Sequence, residues 1–168
     1  SCIRCTVRIT GVRAAEIVLQ AFSGRWNWAG GASRVSVSAE FKWRGEQVDV
    51  NFAADNLEDL QNGLPTRVVS AFNAKPAKFS FDGQSNLTAN LFAEGKVTFE
   101  AASLKNFLAW SEPGATVGAS IDALSLTANL NAKDGKMLFS DMVLSAAGSP
   151  ATGVFELDMT GAAPKTSG

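Results

Sequence analysis

The chain has no histidine and no tyrosine among its 168 residues. Without imidazole it lacks the commonest general base and the commonest transition-metal ligand, so hydrolase triads and zinc sites built on histidine are excluded. Charge is scarce too. Charged residues make up 18% of the chain and the net charge is -1, which leaves no basic field to meet a phosphate backbone. Nucleic acid is not an expected partner. Cysteine occurs only as Cys2 and Cys5, a C-x-x-C. A structural zinc needs four ligands, and the chain has neither a second cysteine pair nor a histidine to complete the set. A thioredoxin-type redox pair needs a helix N-terminus to lower a thiol pKa, whereas Ile3 to Ile9 alternates like a strand. The two thiols read as incidental groups near a chain end, and neither metal nor cofactor is expected. Long apolar runs are also missing: no window approaches the roughly 20 residues of a spanning helix, and the first residues lack the layout of a signal peptide. The start on Ser1 and the end on Gly168 fit a fragment or a processed product, with targeting information outside it.

What the chain does have is alternation. From Arg34 to Arg44 apolar residues fall at odd positions and polar ones at even positions, and the period of two returns over Gln47–Ala54, Lys78–Phe81, Ser85–Leu91, Lys96–Glu100, Asp122–Asn131 and Phe155–Met159. Successive side chains of a strand point to opposite faces, so this pattern makes sheet with one apolar and one wet face. At 46% apolar residues, the chain can bury such a face as a single domain.

The pattern resolves into about ten antiparallel strands. A strand at Ile3–Thr10 is followed by Val12–Phe22, where Val12, Ala15, Leu19 and Phe22 fit a helix stripe and Ile17, Leu19 and Ala21 fit a strand face, with strand favoured, and Gly24–Gly31 reads as a turn-rich connection in which Trp26 and Trp28 cover a sheet edge. A hairpin turns at Gly45-Glu46 and aligns Val35, Val37, Phe41 and Trp43 with Val48, Val50 and Phe52. Asn56 can cap a short helix through Leu57 and Leu60, stopped by Gly63 and Pro65. Thr66–Ala74 returns as strand, Asp82-Gly83 reads as a turn, and strands at 85–91 and 97–101 join around Gly95. Ser103 can cap a second short helix carrying Leu104, Phe107, Leu108 and Trp110. Asp134-Gly135 signals a type I′ hairpin that sets Leu130 opposite Phe139, with Met137 on the same face. Beyond Ser140-Asp141 the parity switches to Met142, Leu144 and Ala146, which a one-residue bulge would produce. The chain then turns at Ala147–Pro150. The fold expected is mainly β: an elongated, curved antiparallel sheet of a repeating β-groove type with two short helices. It is read as one domain, with N-terminal strands and an Asn-Trp turn over 1–31 and a repetitive sheet body over 32–168.

In this order the motifs resemble the AsmA family of bacterial envelope proteins. Gly24-Arg25-Trp26-Asn27-Trp28 resembles the family's Asn-Trp element and Trp43–Val48 its next hairpin. Leu57–Leu64 and then Phe79-Ser80-Phe81-Asp82-Gly83 resemble its short helix and Phe-Asp-Gly element. Gly95–Phe99, Ser103–Trp110, Leu138–Met142 and Ala151-Thr152-Gly153 follow its closing repeat. Two departures stand out: the stretch before the hairpin is reduced to Gly30–Ser33, and Ala147-Gly148 replaces an acidic late turn. The resemblance implies a periplasmic β-rich body whose full-length protein is anchored in the inner membrane by an N-terminal helix absent from this chain. It also implies a role in outer-membrane assembly, with β-grooves that carry phospholipid acyl chains.

Three functions are weighed from these residues, the envelope role of the first being what the resemblance implies. The first is a non-enzymatic envelope-biogenesis module, with phospholipid or envelope proteins as partners. Its apolar groove would be lined by Phe41, Trp43, Val48, Val50, Phe52, Phe79, Phe81, Leu87, Leu91, Val97, Phe99, Leu124, Leu126, Leu130, Phe139, Phe155 and Leu157. Burying an acyl chain yields about 0.8 kcal/mol per CH₂ without directional contacts, so such a site requires apolar area and no catalytic residue. The second is a structural or protein-binding β-domain, a closed sandwich whose two sheets bury each other's apolar faces about 10 Å apart. The third, an enzyme, would need two of Asp49, Asp82, Glu94, Asp134 and Asp141 to converge, and nothing in their spacing selects a pair.

Overall fold

The computed structural model describes residues 3–10, 16–28, 34–86, 92–112, 123–160 and 165–167. The strands are β1 (Ile3–Thr10), β2 (Glu16–Trp28), β3 (Val35–Trp43), β4 (Glu46–Ala54), β5 (Thr66–Ala74), β6 (Ala77–Ser85), β7 (Ala93–Ala101), β8 (Leu124–Lys133), β9 (Lys136–Ala146), β10 (Ser149–Asp158) and β11 (Lys165–Ser167). Helix α1 (Leu57–Gln61) joins β4 to β5, and helix α2 (Leu104–Ser111) lies between β7 and β8. All eleven strands form one curved, unclosed antiparallel sheet in strict sequence order. Among the described residues no second sheet packs against it, so they form one open layer and not the face-to-face sandwich.

The hairpin geometry follows from local sequence. Arg44-Gly45, Asp134-Gly135 and Ala147-Gly148 each place two successive residues at positive φ, with glycine second, the type I′ arrangement whose twist matches that of the flanking strands. The first turn therefore lies one residue earlier than Gly45-Glu46, and Glu46 already belongs to β4. The last leaves Ser149 and Pro150 inside β10. Leu130 pairs with Phe139 as the two-residue loop requires. The register slips between Thr127 and Asn129, where Asp141 takes φ 48°, so the parity switch along β9 is a bulge.

Three turns expected from the sequence are strand instead. Gly24 to Trp28 continues β2 and pairs Trp26 with Val37 and Trp28 with Val35, so the Asn-Trp element is not a turn. Gly83 lies within β6, directly opposite Gly95 within β7. A Cβ on Gly83 would stand 2.2 Å from the Glu94 carbonyl oxygen, and one on Gly95 would stand 2.5 Å from the Gly83 Cα. Glycine is needed at this pair so that two backbones can approach at a crease in the sheet, not to reverse the chain. β6 ends at Ser85, and the remainder of the expected 85–91 strand lies outside the described residues, apart from Asn86 beyond the strand end.

Cross-strand pairing assigns side chains to faces. One face carries Val37, Phe52, Ser70, Phe81, Val97 and Ala128 in a single row, while the other carries Ser38, Asn51, Ala71, Ser80, Thr98 and Thr127. Among the described residues, the buried hydrophobic side chains of the strands all lie on the first face, from Val35 and Val48 to Ala128 and Ala132. With no second sheet above it among the described residues, this face is shielded by the sheet's own curvature and by the two helices, and is therefore the concave side. α1 supplies the central plug: Asn56 accepts from the Asp59 amide at 3.1 Å, and Leu60, 1% exposed, packs among Val35, Ala54, Val68, Phe81 and Val97.

Candidate functional site

The concave face is the candidate site, and its residues reach it through strand parity. Phe41, Trp43, Val48, Val50, Phe52, Phe79, Phe81, Val97, Phe99, Leu124, Leu126, Leu130, Phe139, Phe155 and Leu157 all fall on it. Leu87 and Leu91 lie outside the described residues. The fifteen do not have equal access. Val48, Phe81 and Val97 are buried and support the floor, whereas most of the others are half-buried and Phe79 is 41% exposed. Phe139 and Phe155 pair at 6.1 Å toward the β10 edge, and Phe22 of β2 stacks on Phe41 at 6.2 Å.

The two helices treat this face differently. α1 drives a leucine into the core; α2 has no buried residue and meets the sheet through aromatic edges. Trp110 stands edge-on to Trp43 at 4.5 Å and tilts over Phe72 at 6.2 Å, while Phe107 meets Phe99 at 5.2 Å. The Trp110 indole donates to the Trp43 carbonyl at 3.2 Å. Arg44 donates to the carbonyls of Trp110 and Ser111 and lies over the Trp43 ring. A cation at these terminal carbonyls also complements the helix dipole. Trp43 and Phe99 are thus seats for α2 rather than open lining.

Sequence reasoning missed Phe72, Phe107 and Trp110 as members of this surface. Phe72 shares the parity of Val68 and Ser70, and Phe107 and Trp110 are spaced i, i+3 on α2, so both signals were present in the chain. Trp26 lies on the concave side, 64% exposed, in the second strand from one edge; it does not cover that edge.

The opposite face is mostly polar, with Val69, Leu138, Val143 and Val154 exposed on it. Arg67 contacts both oxygens of Asp82 at 3.1 and 3.2 Å, Asn129 donates to Asp141 at 2.9 Å, and Ser80 and Thr98 share a hydrogen bond of 2.6 Å. Asp49 and Glu94 point to this face as well, and Asp134 sits in its hairpin turn. Among the described residues no three of His, Cys, Asp and Glu are grouped to hold a metal ion, and no helix is long and apolar enough to cross a membrane. Compared with family models, with curated proteins and with solved structures, the chain matches none.

Proposed function

We propose that this chain is a non-enzymatic lipid-handling module that binds or guides phospholipid acyl chains along the concave face of its sheet. The observation that carries the reading is that, among the described residues, the buried strand hydrophobes all lie on one face of a single open sheet and two short helices are what cover it. An ordinary β-domain seals such a face with a second layer. Here half-buried Phe41, Leu126, Leu130 and Phe139 offer apolar area without directional groups, which suits hydrocarbon at about 0.8 kcal/mol per CH₂. The motif order resembling the AsmA family favours an envelope role, with a periplasmic body and a membrane anchor outside this chain. The mostly polar convex face would then meet water while the trough holds the chains.

Native mass spectrometry of the purified protein after incubation with 1-palmitoyl-2-oleoyl phosphatidylglycerol vesicles tests this. The expected spectrum contains adducts of one or a few lipid masses that persist through buffer exchange. Repeated lipid-free spectra from folded protein would overturn the reading.

A further inference from the structure

The two helices on the concave face are held to it by different means. α1 is fixed through Leu60, a buried side chain inside the core cluster. α2 has no buried residue, and at eight residues it is too short to keep its helical form without a surface to rest on. A small set of contacts seats it. Phe107 and Trp110 meet the sheet edge-on, the Trp110 indole donates to the Trp43 carbonyl, and the Arg44 guanidinium donates to the carbonyls of Trp110 and Ser111 at the helix end. An element seated without buried side chains is among the first to open locally.

The strand surface that α2 meets is aromatic. Phe72, Phe79 and Phe99 stand side by side across β5, β6 and β7. Trp110 tilts over Phe72 and Phe107 meets Phe99, whereas no ring of the described residues meets Phe79, which is 41% exposed between them. The rings of the helix therefore take the two ends of the row and leave a bare phenyl in its middle. Hydrocarbon arriving at Phe79 reaches the same ring faces that Phe107 and Trp110 occupy.

We propose that α2 is a displaceable cover, latched by Arg44, that competes with the acyl chain for the Phe72–Phe79–Phe99 row. The chain enters at Phe79, replaces the contacts of Phe107 and Trp110, and α2 leaves the sheet. The proposal rests on the trough reading and adds to it a place of binding and a closed state in which the protein occupies its own site. The apparent affinity for lipid is reduced by the fraction of molecules in which α2 is down, so weakening the latch strengthens binding. A helix that merely completed the binding surface would give the opposite sign, because loosening it would cost affinity.

The test combines hydrogen exchange of the full chain, with and without palmitoyl lysophosphatidylcholine below its micelle concentration, with a native mass spectrometry titration of the same lipid. The zwitterionic head keeps the net charge of the variants out of the comparison. In the parent, lipid is expected to accelerate exchange of the amides of residues 107–112 at least threefold and to leave those of α1 unchanged. Arg44→Gly removes the latch at a residue with φ 48°, where glycine is the least strained choice, so the hairpin is preserved. It is expected to accelerate α2 exchange at least threefold in the absence of lipid and to tighten lipid binding at least threefold. Asp134→Gly makes the same kind of backbone change, at φ 52°, in the β8–β9 turn at the opposite strand ends, and is expected to alter both by less than twofold. Lipid that slows α2 exchange or leaves it unchanged, Arg44→Gly protein that binds no more tightly than the parent, or an equal gain with Asp134→Gly overturns the proposal and leaves the trough reading intact. Parent protein that takes up no lipid overturns both.

Discussion

Gly95→Val is expected to leave the chain largely unfolded. A Cβ at this position lies 2.5 Å from the Gly83 Cα and from the Asp82 carbonyl oxygen, so the obstacle is backbone and no side chain can swing aside. Relief requires β6 to part from β7, a pairing in the middle of the sheet with five strands beyond it on the β1 side and four on the β11 side. Overpacking ordinarily costs about 1–3 kcal/mol, and a clash that rigid strands cannot absorb exceeds that range. Since whole domains are stable by only about 5–15 kcal/mol, most of the reserve would be spent. Gly153→Ala is the matched control. Its Cβ would meet only the Met142 methyl at 3.9 Å, so stability is expected within about 1 kcal/mol of the parent, on the stabilising side. Urea unfolding followed by far-ultraviolet circular dichroism separates the two; equal losses would show that the Gly83–Gly95 crease is not required.

Leu60→Ala is expected to destabilise the protein by about 3–4 kcal/mol and to lower the melting midpoint by about 10 °C. Leu60 is the buried residue of a five-residue helix too short to form alone, and it fills the concave side against Val35, Ala54 and Val68. Removing it empties the plug of the concave face, and among the described residues no second layer lies over that face to collapse into the gap. Leu64 provides the contrast: it lies just beyond the same helix, is exposed, and its replacement by alanine is expected to change stability by less than about 0.5 kcal/mol. Comparable losses at both positions would mean that α1 is not the core element described here.

Much of this architecture was legible in the chain because strand parity is a local property. The face shared by Phe41, Val50, Leu126 and Leu130 follows from a period of two, and the Leu130–Phe139 pair and the Ser140-Asp141 bulge follow from counting residues around Asp134-Gly135. The errors share one cause. At Gly24, Gly83 and Gly95 the glycines looked like chain reversals, because sequence alone does not distinguish a glycine needed for positive φ from one that makes room for a neighbour, the Phe22 ring at Gly24 and the facing backbone at Gly83 and Gly95. At Gly83 and Gly95 that distinction depends on which strand lies opposite, a tertiary fact. The same limit applied to Trp110, whose partners Trp43 and Phe72 are brought to it only by the order of the sheet. Whether the apolar face was open or sealed also depended on long-range pairing: the same alternation serves a sandwich equally well, and it is the unbroken β1-to-β11 order that leaves one layer.

The central claim, that the concave face is accessible to an acyl chain, is tested most directly by photolabelling with a phosphatidylglycerol that carries a diazirine near the end of one acyl chain. After irradiation and peptide mapping by mass spectrometry, labels are expected on concave residues such as Phe41, Leu126, Phe139 and Phe155, and to be displaced by excess unlabelled lipid. Labels confined to the convex face, at Val69, Leu138, Val143 or Val154, or none at all on folded protein, would contradict the account.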